Sequence, residues 1–418
     1  MTQVLGFKFS GVVAGIKKKA GTRDFGLIYA EQACNAAAVF TRNLVRASPV
    51  HLAEERVLSG KAQALLVNAG NANACTGPAG MEAALLTTKV VADALGIAKE
   101  LVLPSSTGVI GQALPTQKMV SAVPALVAEL SAPTSDDRAG LDHFAEAICT
   151  TDRWKKIASA QIESGGKTAQ ILAIGKGAGM FHPDLALAGQ LPKPDGTGFS
   201  DLDFAGLHAT MLVYILTDAD VDTEMLREAL LGAADRTFNA STVDGDTSTN
   251  DSVFLLASGL SGVKPSFDEF TQALTSVCSE LAREMVRDGE GANHAVTITV
   301  RGLQNDAEAR DVARSVATSP LVKTAINGKD ANWGRLLMAA GKAGIPFDPD
   351  RAMVSTGGVC ICENGQLKSA EADLAAGEAM KAAEYTIELT LGGGPGTFSY
   401  ITSDLGHAYV DVNATYRS

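Results

Sequence analysis

His208-Ala209-Thr210-Met211-Leu212-Val213-Tyr214-Ile215-Leu216 sets a hydroxyl side chain at the head of an apolar run. The β-prone residues from Met211 to Leu216 predict a buried strand, with Thr210 standing where that strand begins. If the peptide bond before Thr210 breaks, the threonine gains a free α-amine beside its own hydroxyl. Base and nucleophile then belong to one residue. The ordinary alternative is a threonine that merely fits a pleated surface, and the rest of the chain has to decide.

Upstream of this stretch, Pro183 to Leu207 is polar and weakly periodic, punctuated by Pro192, Pro194, Gly196 and Gly198. It reads as a loop or linker. Before it, apolar runs (Ala64 to Val67, Leu101 to Leu103, Ile171 to Ile174) alternate with helical patterns over Gly80 to Leu95 and Pro115 to Leu130. That alternation predicts an α/β architecture. Downstream, the spacing predicts a capped helix over Thr223 to Ala234, a strand at Val253 to Ala257 and a long helix near Ser266 to Asp288. A strand at Val296 to Val300 and a helix over Asp306 to Val316 follow. Further apolar runs lie at Val359 to Cys362, Tyr385 to Leu391 and Phe398 to Ile401, the last two joined by the turn Gly392-Gly393-Gly394.

With 418 residues and 46% hydrophobic composition the chain buries a large core and predicts more than one domain. The net charge of −12 and a basic cluster of only Lys17-Lys18-Lys19 argue against nucleic acid and membrane surfaces as partners. No stretch approaches the ~20 apolar residues of a bilayer span, and Met1 to Ala20 lacks the pattern of a secretory leader. Six scattered cysteines and six histidines show neither zinc spacing nor a triad pattern, so the expectation is reduced thiols in a cytoplasm and no metal.

Several strings hold polar groups able to do chemistry. Pro104-Ser105-Ser106-Thr107-Gly108-Val109-Ile110-Gly111 follows an apolar strand, and as a turn of small residues it can aim backbone amides at a developing oxyanion. Asn68 to Gly77 reads as a second amide-rich turn, whose asparagines either ligate a substrate or satisfy the turn itself. Lys176, among glycines after an apolar run, is a point charge for a carboxylate. Thr150-Thr151-Asp152 closes a helical segment, with capping as the plain alternative. Glu290, in Arg287-Asp288-Gly289-Glu290-Gly291, is an acceptor for an ammonium or a turn residue. Thr242 to Asp251 resembles a calcium loop but lacks the glutamate at its twelfth position. Asn327 to Arg335 is a further polar string.

Taken in order, these strings resemble the ornithine acetyltransferase family of arginine biosynthesis, whose members are N-terminal-nucleophile enzymes. The resemblance runs over nearly the whole chain: Gly11 to Lys17, Asn68 to Gly77, Ser106 to Gly111, Thr150 to Asp152, Lys176 to Met180, Ala209 to Leu212 and Thr242 to Asp251. It continues through Arg287 to Gly291, Val322 to Ile326, Asn332 to Arg335 and the terminal Asn413 to Ser418. It implies a layered α/β/β/α sandwich with a smaller C-terminal α/β domain at about 295–418. It also implies a precursor that cleaves itself between Ala209 and Thr210 into an α chain (1–209) and a β chain (210–418), assembled as a heterotetramer in the cytoplasm. Thr210 takes acetyl from N2-acetylornithine as an ester and passes it to glutamate. Thr107 and Gly108 match the oxyanion-hole positions; Lys176, Glu290, Asn413 and Ser418, with one or both of Thr150 and Thr151, match the substrate-binding ones. An ordered C-terminal tail follows from this. No cofactor is implied, and acetyl-CoA is left open as a second donor.

In the family's usual pattern the lysine stands eleven residues before the nucleophile, whereas Lys176 and Thr210 are 34 apart (210 − 176). An insertion at about 185–206 therefore lies directly before the scissile bond, with Asp184, Leu207 and His208 at changed flanks. Two further readings stay open on the residues alone. One is an amidase or aminopeptidase using the same threonine with water as acceptor; the other is an uncleaved amino-acid-binding protein.

Overall fold

The computed structural model describes residues 3–131, 138–191 and 210–414. The chain forms two compact units. The first runs to Asn239 and resumes over Asp246–Ala282; the second takes Ala240–Gly245 and continues from Arg283. Neither the expected cleavage point nor residue 295 coincides with these limits. Thr210–Asn239 belongs to the first unit, and the second resumes at Arg283.

In chain order the first unit holds β1 (Phe7–Val12), β2 (Phe25–Thr41), α1 (Ser48–Val57), β3 (Lys61–Asn71), α2 (Gly77–Leu95) and β4 (Val102–Val109). It continues with α3 (Thr116–Glu129), α4 (Ala139–Ile148), β5 (Lys156–Ser164), β6 (Lys167–Lys176), β7 (Leu185–Leu187), β8 (Leu212–Thr217) and α5 (Thr223–Arg236). β9 (Ser241–Thr242) belongs to the second unit and β10 (Ser252–Ala257) to the first; α6 (Phe267–Arg287) passes from one to the other. The strands of the first unit form one mixed sheet, ordered β4-β3-β2-β10-β8-β6-β5, with β1 and β7 also pairing with β2.

Alternation along the strands sends side chains to two cores, as the period-2 geometry of a strand requires. Phe25 and Leu27 of β2, with Ala64 and Leu66 of β3, pack against Val91 of α2 and Met119, Val123 and Leu126 of α3. Ile28 and Ala30, with Leu65 and Val67, belong to the other core, alongside Val50 and Val57 of α1 and Phe144 and Ile148 of α4. Every residue of β8 and β10 is buried. The sheet is also strongly coiled. Four strand intervals separate β4 from β8, about 19 Å at the usual spacing, yet Ser105 of β4 and Tyr214 of β8 share a hydrogen bond of 2.6 Å.

The second unit carries β11 (Ala295–Leu303), α7 (Asp306–Ala317), α8 (Pro320–Gly328), α9 (Trp333–Gly341), β12 (Met353–Thr356), β13 (Val359–Glu363) and β14 (Gln366–Leu367). After these come α10 (Ala370–Ala379), β15 (Glu384–Thr390), β16 (Gly396–Ser403) and α11 (His407–Ala414). Its mixed sheet has the order β14-β13-β12-β15-β11-β16-β9, and Val296, Ile298 and Val300 of β11 meet Val312 and Val316 of α7 in its core. The mixed α/β class expected from the sequence therefore holds, with two mixed sheets, one in each unit.

Two sequence expectations need correction. Pro104 to Val109 is not a turn but the body of β4, because β3 goes on pairing with it from Ala64↔Val102 to Gly70↔Gly108. The expected linker before Thr210 begins as structure: Leu185–Leu187 forms β7 on the far half of β2. The remainder of that insertion beyond residue 191, with His208 and Ala209, lies outside the described residues, as does Ser418.

Candidate active site

Strand register places the first group of residues. β6 and β8 run antiparallel with Lys176 opposite Leu212, and β8 and β10 run parallel with Leu212 opposite Ser252. Thr210, two residues before β8, thus lies beside the segment Ser248–Asp251 that leads into β10. Its side chain is buried, and its hydroxyl shares a hydrogen bond of 3.0 Å with that of Ser248. The next amide, Met211 N–H, donates to Asp251 Oδ1 at 2.8 Å, which fixes the backbone just after the threonine.

Thr107 and Gly108 stand just before Val109, the last residue of β4. The pairing with β3 slips there, Asn71 standing opposite both Thr107 and Val109, and Gly108 takes φ +130°. A Cβ at Gly108 would lie 2.3 Å from Gly70 C and 2.4 Å from Asn71 N, so only glycine fits both the conformation and the space. Asn250 spans the neighbouring gap, its Nδ2 donating to Ala72 O at 2.7 Å and Ser106 O at 3.0 Å. The asparagines of the amide-rich string are spent on nearby backbone, on one another and on Ser106. Asn68 Nδ2 donates to Asn71 O, Asn73 N–H to Asn71 Oδ1, and Asn73 Nδ2 to Gly80 O. Asn68 and Asn71 lie in the end of β3 and not in the expected turn, and satisfying the backbone there and in the loop after it is the role this geometry gives the asparagines.

Lys176 is fully buried. Its ammonium donates to Thr150 Oγ1 at 2.8 Å and Thr107 Oγ1 at 3.3 Å, and Asp152 Oδ2 lies at 3.7 Å. Asp152 is equally buried and is shared with a second buried cation, Lys156, at 2.7 Å. The same carboxylate accepts Thr150 N–H at 3.0 Å and Gly177 N–H at 2.8 Å. Burial alone would raise the Asp152 carboxyl. The ammoniums of Lys176 and Lys156, with the hydrogen bonds from Lys156 and Thr150, outweigh burial and hold it well below the usual carboxylate range. Two cations against one carboxylate leave this cluster net positive, which suits an incoming anion. Burial likewise pushes the Cys149 thiol up to about 12, reinforced by Asp152 and opposed by the nearby lysines. That thiol is therefore no thiolate nucleophile at neutral pH.

The two threonines before Asp152 differ. The Thr150 hydroxyl is engaged by Lys176, whereas Thr151 Oγ1 is shielded from solvent and meets no hydrogen-bond partner among the described residues. Sequence reasoning left the choice between them open and offered capping as the plain alternative for the Thr150-Thr151-Asp152 string as a whole. Lys156 lay outside the strings singled out in the sequence although Asp152 is only four residues away, and Ser248 and Asn250 stood in the Thr242–Asp251 string without a role, because Thr210 and Ala72 lie far from them along the chain.

The second unit holds the remaining candidates. Glu290 is buried in the turn after α6, and Asn413 of α11 donates its Nδ2 to Glu290 Oε2 at 3.0 Å and to Tyr409 O at 3.0 Å. The turn packs tightly on the start of that helix: a Cβ at Gly291, where φ is +71°, would lie 2.4 Å from Tyr409 N. Of the expected tail, α11 carries the described chain to Ala414, and residues 415–418 lie outside the described residues. Within Thr242–Asp251, Asp251 accepts the Met211 amide and Asp244 accepts from Tyr409 OH at 3.4 Å. Among the described residues there is no cluster of three His, Cys, Asp or Glu side chains fit for a metal, and no helix long and apolar enough to cross a membrane.

A family model described as the ArgJ family matches residues 8–418. The arginine biosynthesis bifunctional protein ArgJ of Syntrophotalea carbinolica is 41% identical over 424 residues, covering 100% of both chains. Among solved structures, the arginine biosynthesis bifunctional protein argJ of Bacillus halodurans is 36% identical, covering 50% of this chain and 99% of that one, with a TM-score of 0.47. Ornithine acetyltransferase complexed with ornithine from Mycobacterium tuberculosis is 37% identical, covering 44% and 94%, with a TM-score of 0.38.

Proposed function

The chain belongs to the ArgJ family, and from that premise we propose that it transfers acetyl from N2-acetylornithine to glutamate through an acetyl ester on Thr210, after cleaving itself between Ala209 and Thr210. The observation that carries this reading is the buried Lys176 ammonium, held by Asp152 against the hydroxyls of Thr107 and Thr150, in the same unit as the buried Thr210, two residues before β8.

The chemistry follows from these groups. A free α-amine has a pKa of ~7.7–8.0 against ~10.4 for lysine, so at neutral pH its basic form is roughly 300-fold more available. It takes the Thr210 proton as Oγ1 attacks the acetyl carbonyl, and the Thr107 and Gly108 region stabilises the resulting oxyanion, where one good donor contributes ~10²–10³ in rate. Collapse breaks the acetyl C–N bond, the proton passes to the departing nitrogen, and ornithine leaves. The amine of glutamate then attacks the ester, the bond to Oγ1 breaks, and Thr210 recovers its proton. Lys176 reads the substrate carboxylate, with Thr151 as the threonine still free to bind. Glu290, Asn413 and Ser418 are assigned to substrate binding, Glu290 supplying the charge that attracts an ammonium. Glutamate acetylation from acetyl-CoA is the second activity, and the setting is a cytoplasmic heterotetramer of two α and two β chains.

Purified protein incubated with N-acetylornithine and labelled glutamate should give labelled N-acetylglutamate and ornithine, and replacing the donor with acetyl-CoA tests the second activity. Free acetate without N-acetylglutamate would instead establish an amidase or aminopeptidase. A full-length 43.2 kDa band that binds amino acids without turnover would establish an uncleaved binding protein. Thr210→Ala should lose both cleavage and transfer.

A further inference from the structure

Ser248 is used by none of the roles above, yet its hydroxyl is the group that touches the Thr210 oxygen. It is completely buried, and two contacts fix it: Thr41 Oγ1 donates to Ser248 O at 2.7 Å, and Asn250 N–H donates to Ser248 Oγ at 3.1 Å. The only other contact of Ser248 Oγ among the described residues is Thr210 Oγ1 at 3.0 Å.

This arrangement decides which hydroxyl donates. Ser248 Oγ already accepts from Asn250, and among the described residues its own hydrogen meets a single acceptor, Thr210 Oγ1. Leaving that hydrogen unpaired in a buried position would cost the desolvation of the group. On that accounting Ser248 gives its hydrogen to Thr210 Oγ1, and once the chain is cut before Thr210 the threonine's own hydrogen is left for the freed α-amine. We propose that Ser248 is a catalytic residue whose hydroxyl donates to Thr210 Oγ1 whenever that oxygen carries developing negative charge.

Such charge arises twice, and the proposal rests on the reading of Thr210 as nucleophile. It arises as Oγ1 surrenders its proton to attack a carbonyl, whether that of residue 209 in self-cleavage or that of the acetyl donor. It arises again as the C–O bond of the acetyl ester breaks and Oγ1 leaves. At each point the Ser248 hydrogen bond strengthens from neutral–neutral to charge-assisted, and only such a gain accelerates the step. In acetyl transfer the proton shuttles between Thr210 Oγ1 and its free α-amine; in self-cleavage it ends on the Thr210 nitrogen as the 209–210 C–N bond breaks, and water then hydrolyses the ester on Oγ1. Ser248 keeps its own proton throughout.

The test uses the full chain with Ser248→Ala and Ser248→Thr. Three measurements are made: conversion of the precursor to its two halves, kcat for N-acetylornithine plus glutamate in the cleaved material, and melting temperature. S248A should slow cleavage and lower kcat by about 10- to 100-fold each, the range for losing a hydrogen bond to a charged partner, while its melting temperature stays near that of the wild type. S248T keeps the donor and should recover most of both rates. If the extra methyl of S248T lowers its melting temperature, the rescue comparison passes to Ser248→Cys, whose poorer donor should give intermediate rates. Cleavage and turnover by S248A within threefold of the wild type would overturn the proposal, as would a well-folded S248T or S248C no faster than S248A. Failure here with Thr210→Ala still inactive leaves the nucleophile standing. Transfer by Thr210→Ala would sink both.

Discussion

Asp152→Asn removes the one negative charge between two buried ammoniums. In the wild type the carboxylate meets Lys156 at 2.7 Å and Lys176 at 3.7 Å, and accepts the amides of Thr150 and Gly177. An asparagine retains one acceptor oxygen and turns an amide NH2 toward groups that are themselves donors. Breaking a buried pair by removing one partner costs about 3–5 kcal/mol, because the remaining charge is left uncompensated in a low dielectric. For a unit of this size that is about 6–20 °C in melting temperature. The assay is calorimetric melting of wild type and D152N across a pH series. A carboxyl depressed in the folded state stabilises above its unfolded value, about 3.9, and the stabilisation fades as pH falls toward the folded value. The gap should therefore be full at pH 7 and narrow below about pH 4, by about 1.4 kcal/mol per pH unit. A D152N melting within 2 °C of wild type at pH 7, or a gap that does not narrow in acid, would refute the reasoning.

Gly108→Ala should cut acetyl transfer by about 10²–10³, the value of one oxyanion donor, because its Cβ would collide with Gly70 and Asn71 backbone; near-normal kcat would remove Gly108 from that role. Lys323 of α8 is buried among Thr402 and Ser403, and burial lowers its pKa to about 7 against the opposing pull of Asp244 and Asp404. Between about pH 7 and the unfolded value near 10.4 the unfolded chain holds the extra proton, so stability rises with pH across that window. Lys323→Met should abolish the rise in a pH series of melting curves, and parallel curves for the two proteins would exclude the effect.

What could be read from one sequence followed the local signal. β8 announced itself through Val213 to Leu216, and α5 through its capped start, where Asp222 accepts from Met225 N–H at 2.9 Å. The second half of β2 had no such signal. Ala30 to Ala38 is rich in alanine and polar residues of low strand propensity, and it is a strand because β10 and β3 flank it and pair with it. Pro104 to Val109 misled for a related reason: small polar residues resemble a turn, but a partner strand brought from 40 residues away keeps them extended. Thr210, Lys176 and Thr107 were legible as members of recurring strings. The contacts of Asp152 with Lys176 and of Ser248 with Thr210 exist only as distances between segments, which periodicity and composition do not encode.

The order of the first sheet bears on what becomes of the molecule once its chain is cut before Thr210. β10 and β8 would then belong to one piece, while β2 on one side of them and β6 on the other would belong to the other piece. Each seam is a full ladder, Ser252↔Phe40 through Ala257↔Asn35 and Leu212↔Lys176 through Thr217↔Ile171. The two products are dovetailed like a tongue in a groove, each filling the middle or the margins of the other's sheet. Neither can withdraw without exposing two unpaired edges and a dry interior, so scission frees a chain end without dividing the protein.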